Sequence, residues 1–514
     1  MRLLVMITMA ITCSYCLSST AQISPLQEDI VSRCKNIVSH DFSGIADAPT
    51  KVLSSKLIHA KKGMPEHCLV EAYIAPSIGV ELSLPKKWNG KFVEVGCGGH
   101  CGKIFAGSCD YPLQKNYACV ASDMGHKSTW LDGQWAYNNV QAEIDWGYRA
   151  THVSALAGKA ITEHFYHIEP ERSYFMGCST GGRQGLIEAQ RFPWDFDGIV
   201  VGAPAMNLTS LYMQFVWNAR AVQSESKNSL LNQDDLKLVN DAVLALCDMD
   251  DGVYDGVVGD PLQCKFDLSK LACPAEIDNS NCLNAEKIAA IEKIYSGVMT
   301  SEGKKLFTGG PVPGSELNWF GRINSLMNPF QNSLSIDETA GLEAFRYMML
   351  MPDPGPEWEI SDFDFDKDYK RLGLMESLYA SSNPDLRKFK AAGGKMIVYQ
   401  GWSDMSIPPR NIIDYYETVV KTLGGREHTD DFMRLFLLPG VNHCSGGKGA
   451  DSVDYLAYLE KWVEQGTAPD RMEALHAKDA DGIQFSRPLF PYPLKAKYSG
   501  YGNSNDAKNF VPVR

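Results

Sequence analysis

The chain has no surplus of basic residues. Its 49 lysines and arginines stand against 62 aspartates and glutamates, a formal charge of −13 over 514 residues. Polyanions are recognised by clustered positive charge, so nucleic acid is excluded as the natural partner. Beyond the N-terminal segment no apolar run is long enough to cross a bilayer, which excludes a membrane-spanning body. Internal repeats and low-complexity tracts are absent as well, which leaves ordinary globular architectures. Hydrophobic residues make up 44% and charged residues 22%. At this length the composition calls for one large domain with an insertion, or for two domains.

What is present begins with "MRLLVMITMAITCSYCLSSTAQ". Arg2 precedes an apolar run from Leu3 to about Leu17, and small residues follow. Ser19 and Ala21 suit the −3 and −1 positions of a cleavage site, so residues 1–21 read as a secretory signal. The run is short for an uncleaved anchor, and the flanks of Cys13 and Cys16 are poor for a lipoprotein. These two of the 14 cysteines leave with the signal. An even number remains, and in an exported chain that implies disulfides. The mature protein is expected outside the cell or in a periplasm, as a monomer or homodimer.

From about residue 80 strand-like and helix-like segments alternate. "KFVEVGCGG" (91–99) and "NYACVASDMGH" (116–126) read as strands running into loops, and 141–166 as a helix. "RSYFMGCS" (172–179) is a strand entering a tight turn, and "GGRQGLIEAQRF" (181–192) a helix. "FDGIVVGAPA" (196–205) is another buried strand. The rhythm stops between about 206 and 384 and resumes with "KMIVYQGWSD" (395–404), a helix near 408–423, "MRLFLLPGVNHC" (433–444) and a helix near 452–465. Such alternation predicts a parallel sheet with helices on both faces. We therefore expect an α/β core from 22–205 and 385–514, with 206–384 inserted over the sheet edge.

Gly177-Cys178-Ser179-Thr180-Gly181 matches G-x-S-x-G at a strand–helix junction, the setting of a nucleophile elbow. Its glycines permit the cramped turn, and the helix N-terminus favours developing negative charge. An acid and a histidine should follow in that order. Asp404 and His443 do, each after a predicted strand, where active groups gather in such sheets. Asp123 and His126 precede the serine, the wrong order for a triad, and suit a structural or wall role; His100 is a further candidate to line the site. For the oxyanion hole, Thr180 should give one backbone N–H and Gly98 or Gly99, in "VGCGGHCG", the other. Cys178 precedes the serine as Cys444 follows the histidine. If the triad assembles, these two can bond, closing a loop of about 265 residues worth about 4–5 kcal/mol by chain entropy.

"GCSTGGRQG", "GWSDMSIPP" and "NHC" together resemble the tannase and feruloyl esterase family, whose hallmark is Cys-Ser…Asp…His-Cys. "LPKKWNGKF", "GHKS", "YRATH" and "EAQRFPWDFDGIVVGAPA" extend the resemblance from about residue 34 to 465. It implies an α/β-hydrolase fold with a large calcium-binding lid. The acidic loop "CDMDDGVYDGVVGDP" fits that expectation by its own chemistry: Asp248, Asp251 and Asp255 are hard oxygen ligands, and Gly252 and Gly256 let the chain wrap. The family pattern adds the carbonyls of Val253 and Val257. The loop is not an EF-hand, since Leu262 stands where the twelfth-position glutamate would be. The ion's expected role is structural.

The resemblance also implies the pairs Cys34–Cys68, Cys247–Cys264 and Cys273–Cys282. The chain departs from the family at Cys97 and Cys101, where the glycine loop usually lacks cysteine. With Cys109 and Cys119 these allow two more bridges whose pairing is open; a zinc site is the poorer alternative in an oxidising compartment. The implied reaction is hydrolysis of aromatic (phenolic) acid esters, feruloyl by default, with galloyl esters or terephthalate monoesters as alternatives. The substrate is a small aromatic ester, free or attached to plant polysaccharide or polyphenol. Trp319, Phe345 and Tyr347 are candidate walls, with Arg346 as a polar anchor. A protease or lipase is disfavoured by the paired cysteines and the acidic loop, and a non-catalytic binding protein by the intact triad.

Overall fold

Apolar runs rich in valine and isoleucine, buried on both faces, form the centre of the molecule, as parallel strands require. The computed structural model describes residues 29–105, 107–224, 229–274, 281–324, 334–477 and 484–514. The expected signal, residues 1–21, lies outside them. The sheet has nine strands: β1 (Thr50–Ile58), β2 (His67–Ile74), β3 (Ile78–Pro85), β4 (Lys91–Val95), β5 (Ala118–Ser122), β6 (Arg172–Cys178), β7 (Gly198–Gly202), β8 (Lys395–Gly401) and β9 (Met433–Leu438). Their spatial order is β1-β2-β3-β5-β4-β6-β7-β8-β9. Pairing is parallel from β5 onward across the sheet. β1, β2 and β3 are added antiparallel at one edge.

Neighbouring residues of a strand serve opposite faces. Phe92, Val120, Phe175 and Ile199 pack into the larger core with Ile161 and Leu186. Val93, Tyr174, Val200 and Ile397 pack on the other side with Leu456, Leu459 and Trp462. The helices Ala150–Tyr166 and Thr180–Arg191 thus cover one face, and Tyr455–Gln465 the other.

Three features differ from the sequence expectation. The helix expected over 141–166 is interrupted by a wide π-helical turn at Asp145–Arg149. Its cause is Arg183, whose buried guanidinium takes the Trp146 and Gly147 carbonyls at 2.9 and 2.8 Å and stacks on the Trp146 ring. The strands before residue 80 make a meander that strand–helix alternation does not signal. Near the C-terminus, two hairpins (Met472–His476 with Phe485–Leu489, Lys495–Tyr498 with Phe510–Val513) pack beyond the last core helix.

Between β7 and β8 the described residues add no strand to the sheet. They bring helices Leu208–Val222, Gln233–Cys247, Ala285–Ser296 and Ile336–Tyr347, and a further apolar cluster around Val239, Ile291, Ile294 and Trp319, which Met405 joins from beyond β8.

Candidate active site

At the C-terminal end of β6 the chain turns directly into the helix Thr180–Arg191, and Ser179 sits on the turn with φ 64° and ψ −122°. A side chain pays for such a conformation in strain, and only tight packing holds it. The packing is tight because glycines surround it. A Cβ at Gly177 would stand 2.6 Å from the Gly181 backbone, and one at Gly182 2.3 Å from the Gly202 carbonyl oxygen. The Ser179 N–H donates to Gly202 O at 3.0 Å, and its carbonyl accepts from Arg183 and Ala205. Thr180 opens the helix, so its N–H is one of the unpaired donors of a helix N-terminus.

Asp404 and His443 come from the ends of β8 and β9, beyond β7 in the sheet. Beyond β8 and β9 the loops are stitched together: Trp402 N–H donates to Leu438 O and Ser403 N–H to Val441 O, both at 2.9 Å. The fully buried Asp404 accepts from the Ser406 and Ile407 N–H groups at 2.8 Å and from Gln400 Nε2 at 2.9 Å. Its Oδ2 lies 2.8 Å from His443 Nδ1. Gln400 was not visible as a site residue in the sequence; its only signal is a polar side chain at the buried end of "KMIVYQG".

The Cys178–Cys444 disulfide joins the elbow to the histidine loop, with a Cα–Cα distance of 5.9 Å. Ser179 and His443 are therefore the immediate chain neighbours of one covalent link. Five further bonds pair Cys34–Cys68, Cys97–Cys101, Cys109–Cys119, Cys247–Cys264 and Cys273–Cys282. The pairing left open by sequence is resolved without a four-cysteine cluster.

The loop after β4 lies on the elbow helix. Thr180 Oγ1 donates to Gly99 O at 2.7 Å, and Cys97 N–H to Gln184 Oε1 at 3.3 Å. Gly99 is left-handed (φ 60°) against the Trp130 carbonyl, whereas a Cβ at Gly98 would meet nothing within 4 Å. His100 does not line an open surface: it is enclosed, with Nε2 2.6 Å from Tyr212 Oη and Nδ1 3.1 Å from Asp132 O. Burial pushes its pKa down to about 4. His126 stacks on Trp135, and burial pushes it down to about 3. Asp123 caps the Gly79 and Gly125 N–H groups, a structural role.

The substrate-wall expectation needs correction. Trp319 and Phe345 are wholly enclosed, the first bonded to Ser315 Oγ and packed on Tyr295, the second between Trp358 and Phe363. The Arg346 guanidinium is held by Trp358 O and Glu359. Tyr347 is buried edge-on to Tyr137. Trp319, Phe345 and Arg346 find their partners within residues 206–384, and Tyr347 packs on Tyr137 outside them. Composition marked them as aromatic or cationic but could not say which way their side chains face.

In the acidic loop, Asp248 accepts the Asp255 and Gly256 N–H groups at 3.1 and 2.9 Å, and Asp251 that of Val253 at 2.9 Å. Burial, with Asp255 and Asp248 nearby, pushes Asp251 up to about 6. Asp255 pairs with Arg487 at 2.6 Å through Oδ2, while its buried Oδ1 has no partner. Gly252 and Gly256 are both left-handed. The buried Asp248 and the half-buried Asp251 and Asp255, with one Asp255 oxygen unpaired, supply the hard oxygen donors that suit a divalent cation. Val253 and Val257 lie in the same turn of chain.

A family model described as "Tannase and feruloyl esterase" matches residues 64–513. Mono(2-hydroxyethyl) terephthalate hydrolase of Piscinibacter sakaiensis is 32% identical, over 87% of this chain and 85% of that protein. A probable feruloyl esterase of Arthroderma benhamiae is 34% identical over 84% of this chain and 82% of its own length. The crystal structure of feruloyl esterase B from Aspergillus oryzae superposes with a TM-score of 0.83 at 25% identity, covering 94% of this chain and all of that one.

Proposed function

The chain belongs to the tannase and feruloyl esterase family of carboxylic ester hydrolases, and from that premise we propose a secreted serine esterase acting on esters of aromatic acids, feruloyl esters by default. One observation carries the mechanism: Ser179, strained at a helix N-terminus, is tied through Cys178–Cys444 to the loop whose His443 is bound to Asp404. With Nδ1 engaged by Asp404, His443 has Nε2 for proton transfer. Ser179 Oγ attacks the ester carbonyl carbon while Nε2 takes its proton. The resulting oxyanion is held by the Thr180 N–H and that of Gly98 or Gly99. Collapse breaks the ester C–O bond, and Nε2 hands its proton to the departing alcohol. Water then attacks the acyl-enzyme by the same route, releasing the acid and free Ser179.

Residues 206–384 are proposed as a lid that chooses the substrate, and the loop from Asp248 to Val257 as its calcium site. The orphaned Asp255 Oδ1 and the crowding of Asp248, Asp251 and Asp255 support that assignment. Asp248, Asp251, Asp255 and the carbonyls of Val253 and Val257 would hold the ion, which would fix the loop and take no part in the chemistry. Six disulfides support an oxidising compartment, and no helix among the described residues is long and apolar enough to cross a membrane.

The test is a panel of methyl ferulate, methyl caffeate, methyl gallate and mono(2-hydroxyethyl) terephthalate with wild type and Ser179→Ala. We expect the highest kcat/KM on a hydroxycinnamate and turnover reduced by at least about 10³-fold in the variant. Full turnover by Ser179→Ala would end the mechanism. Preference for gallate or the terephthalate monoester would instead shift the substrate, as the 32% identity to the terephthalate-monoester hydrolase makes a real alternative.

A further inference from the structure

We propose that the Cys97–Cys101 disulfide is a positioning device for the oxyanion loop, closing a ring around Gly98 and Gly99 that fixes the backbone N–H groups met by transition-state charge. This rests on the acyl-transfer reading above. The bond spans a sequence separation of 4, against 34, 10, 266, 17 and 9 for the other five. Restriction of the unfolded chain grows with loop length, so this bridge contributes least to global stability. Its location gives it another use. Gly99 and Cys101 are both left-handed (φ 60° and 67°), a conformation open to glycine but unusual for Cys101, which carries a Cβ. Two adjacent glycines without a crosslink would visit many backbone states, whereas oxyanion donors work only when already aimed.

The ring is also moored to the elbow it serves. Cys101 N–H donates to Gly98 O across the ring at 3.0 Å. Gln184, on the elbow helix, accepts from Cys97 N–H at 3.3 Å and places Nε2 3.1 Å from Cys97 Sγ. Thr180 Oγ1 fixes the Gly99 carbonyl, and a Cβ at Gly181 would come within 3.1 Å of Cys97 O. Gly98, inside this frame, borders open space. The two donor-bearing segments, elbow and ring, are thereby held in one register.

The test compares Cys97→Ser/Cys101→Ser and Cys97→Ala/Cys101→Ala with a reference pair, Cys109→Ser/Cys119→Ser, on the best ester of the panel. An arylboronic acid, which forms a tetrahedral adduct on a serine nucleophile, reports the oxyanion site separately from substrate binding. We expect kcat to fall about 10- to 100-fold, part of what losing one oxyanion donor costs, with KM within about threefold. Boronate affinity should fall by a similar factor, and Tm should move no further than in the reference pair. Unchanged kcat and boronate affinity would overturn the proposal, as would a loss confined to KM or failure of both pairs to fold. If Ser179→Ala is inactive while both pairs keep full activity, only this inference fails; an active Ser179→Ala fails the mechanism beneath it.

Discussion

Asp404 accepts three hydrogen bonds before it meets His443, from Gln400 and from the N–H groups of Ser406 and Ile407. A fully buried carboxylate so held has one orientation, and it offers His443 Nδ1 an acceptor only. Asp404→Asn keeps the shape but can present N–H where the oxygen was, which favours the wrong imidazole tautomer. We expect kcat to drop on the order of 10⁴-fold with KM changed only a few-fold; steady-state kinetics, with thermal melting to check folding, would measure it. A loss smaller than about tenfold would mean that another acid orients the histidine. Asp404 and His443 were legible because each closes an apolar strand run, and Ser179 because glycines crowd it on both sides. Gln400 was not, since a glutamine acquires its meaning from what its amide reaches in three dimensions.

At the scale of elements, strands buried on both faces announced themselves as short runs ending in glycine or at a candidate triad residue, and β4 to β9 lie where those runs stand. The interruption of the helix after Val140 was hidden because its cause, Arg183, is 36 residues away from the Gly147 carbonyl it takes. The loop from Asp248 to Val257 is the opposite case, with its chemistry written locally in acids and glycines. If that loop binds calcium, chelation should destabilise the fold through the lost ligand, by about 2.7 kcal/mol where free calcium was a hundredfold above Kd. We expect EDTA to lower Tm by a few degrees, with recovery on adding Ca²⁺ but not on adding NaCl of equal ionic strength. Asp251→Asn should blunt the response. Melting curves unmoved by EDTA in protein shown by elemental analysis to carry calcium would remove the structural role.

For the molecule as a whole, sequence could not reveal what depends on the enclosure of distant segments. The antiparallel meander and the C-terminal hairpins find their places only against surfaces formed elsewhere, and Trp319, Phe345 and Tyr347 are enclosed for the same reason. Two buried histidines have a whole-molecule consequence of this kind. Burial holds His100 at about 4 and His126 at about 3, whereas in the unfolded chain each titrates near 6.5. Between those limits the unfolded state binds protons that the folded state refuses, so stability present above about pH 6.5 is lost as pH falls. The slope is about 1.4 kcal/mol per pH unit for each histidine. His126 faces the Trp135 ring, His100 and the backbone carbonyls of His100 and Met124, and neither ring nitrogen reaches a partner at full hydrogen-bond geometry. Phenylalanine keeps a flat ring against Trp135 and removes the titrating group. Denaturant unfolding of wild type and His126→Phe at pH 7.5, 6.5, 5.5 and 4.5 should give a slope smaller by about 1.4 kcal/mol per pH unit in the variant below pH 6, the difference cancelling the carboxylates common to both. Parallel lines for the two proteins would mean that His126 takes up its proton without unfolding, and that the early loops open to water well before the sheet does.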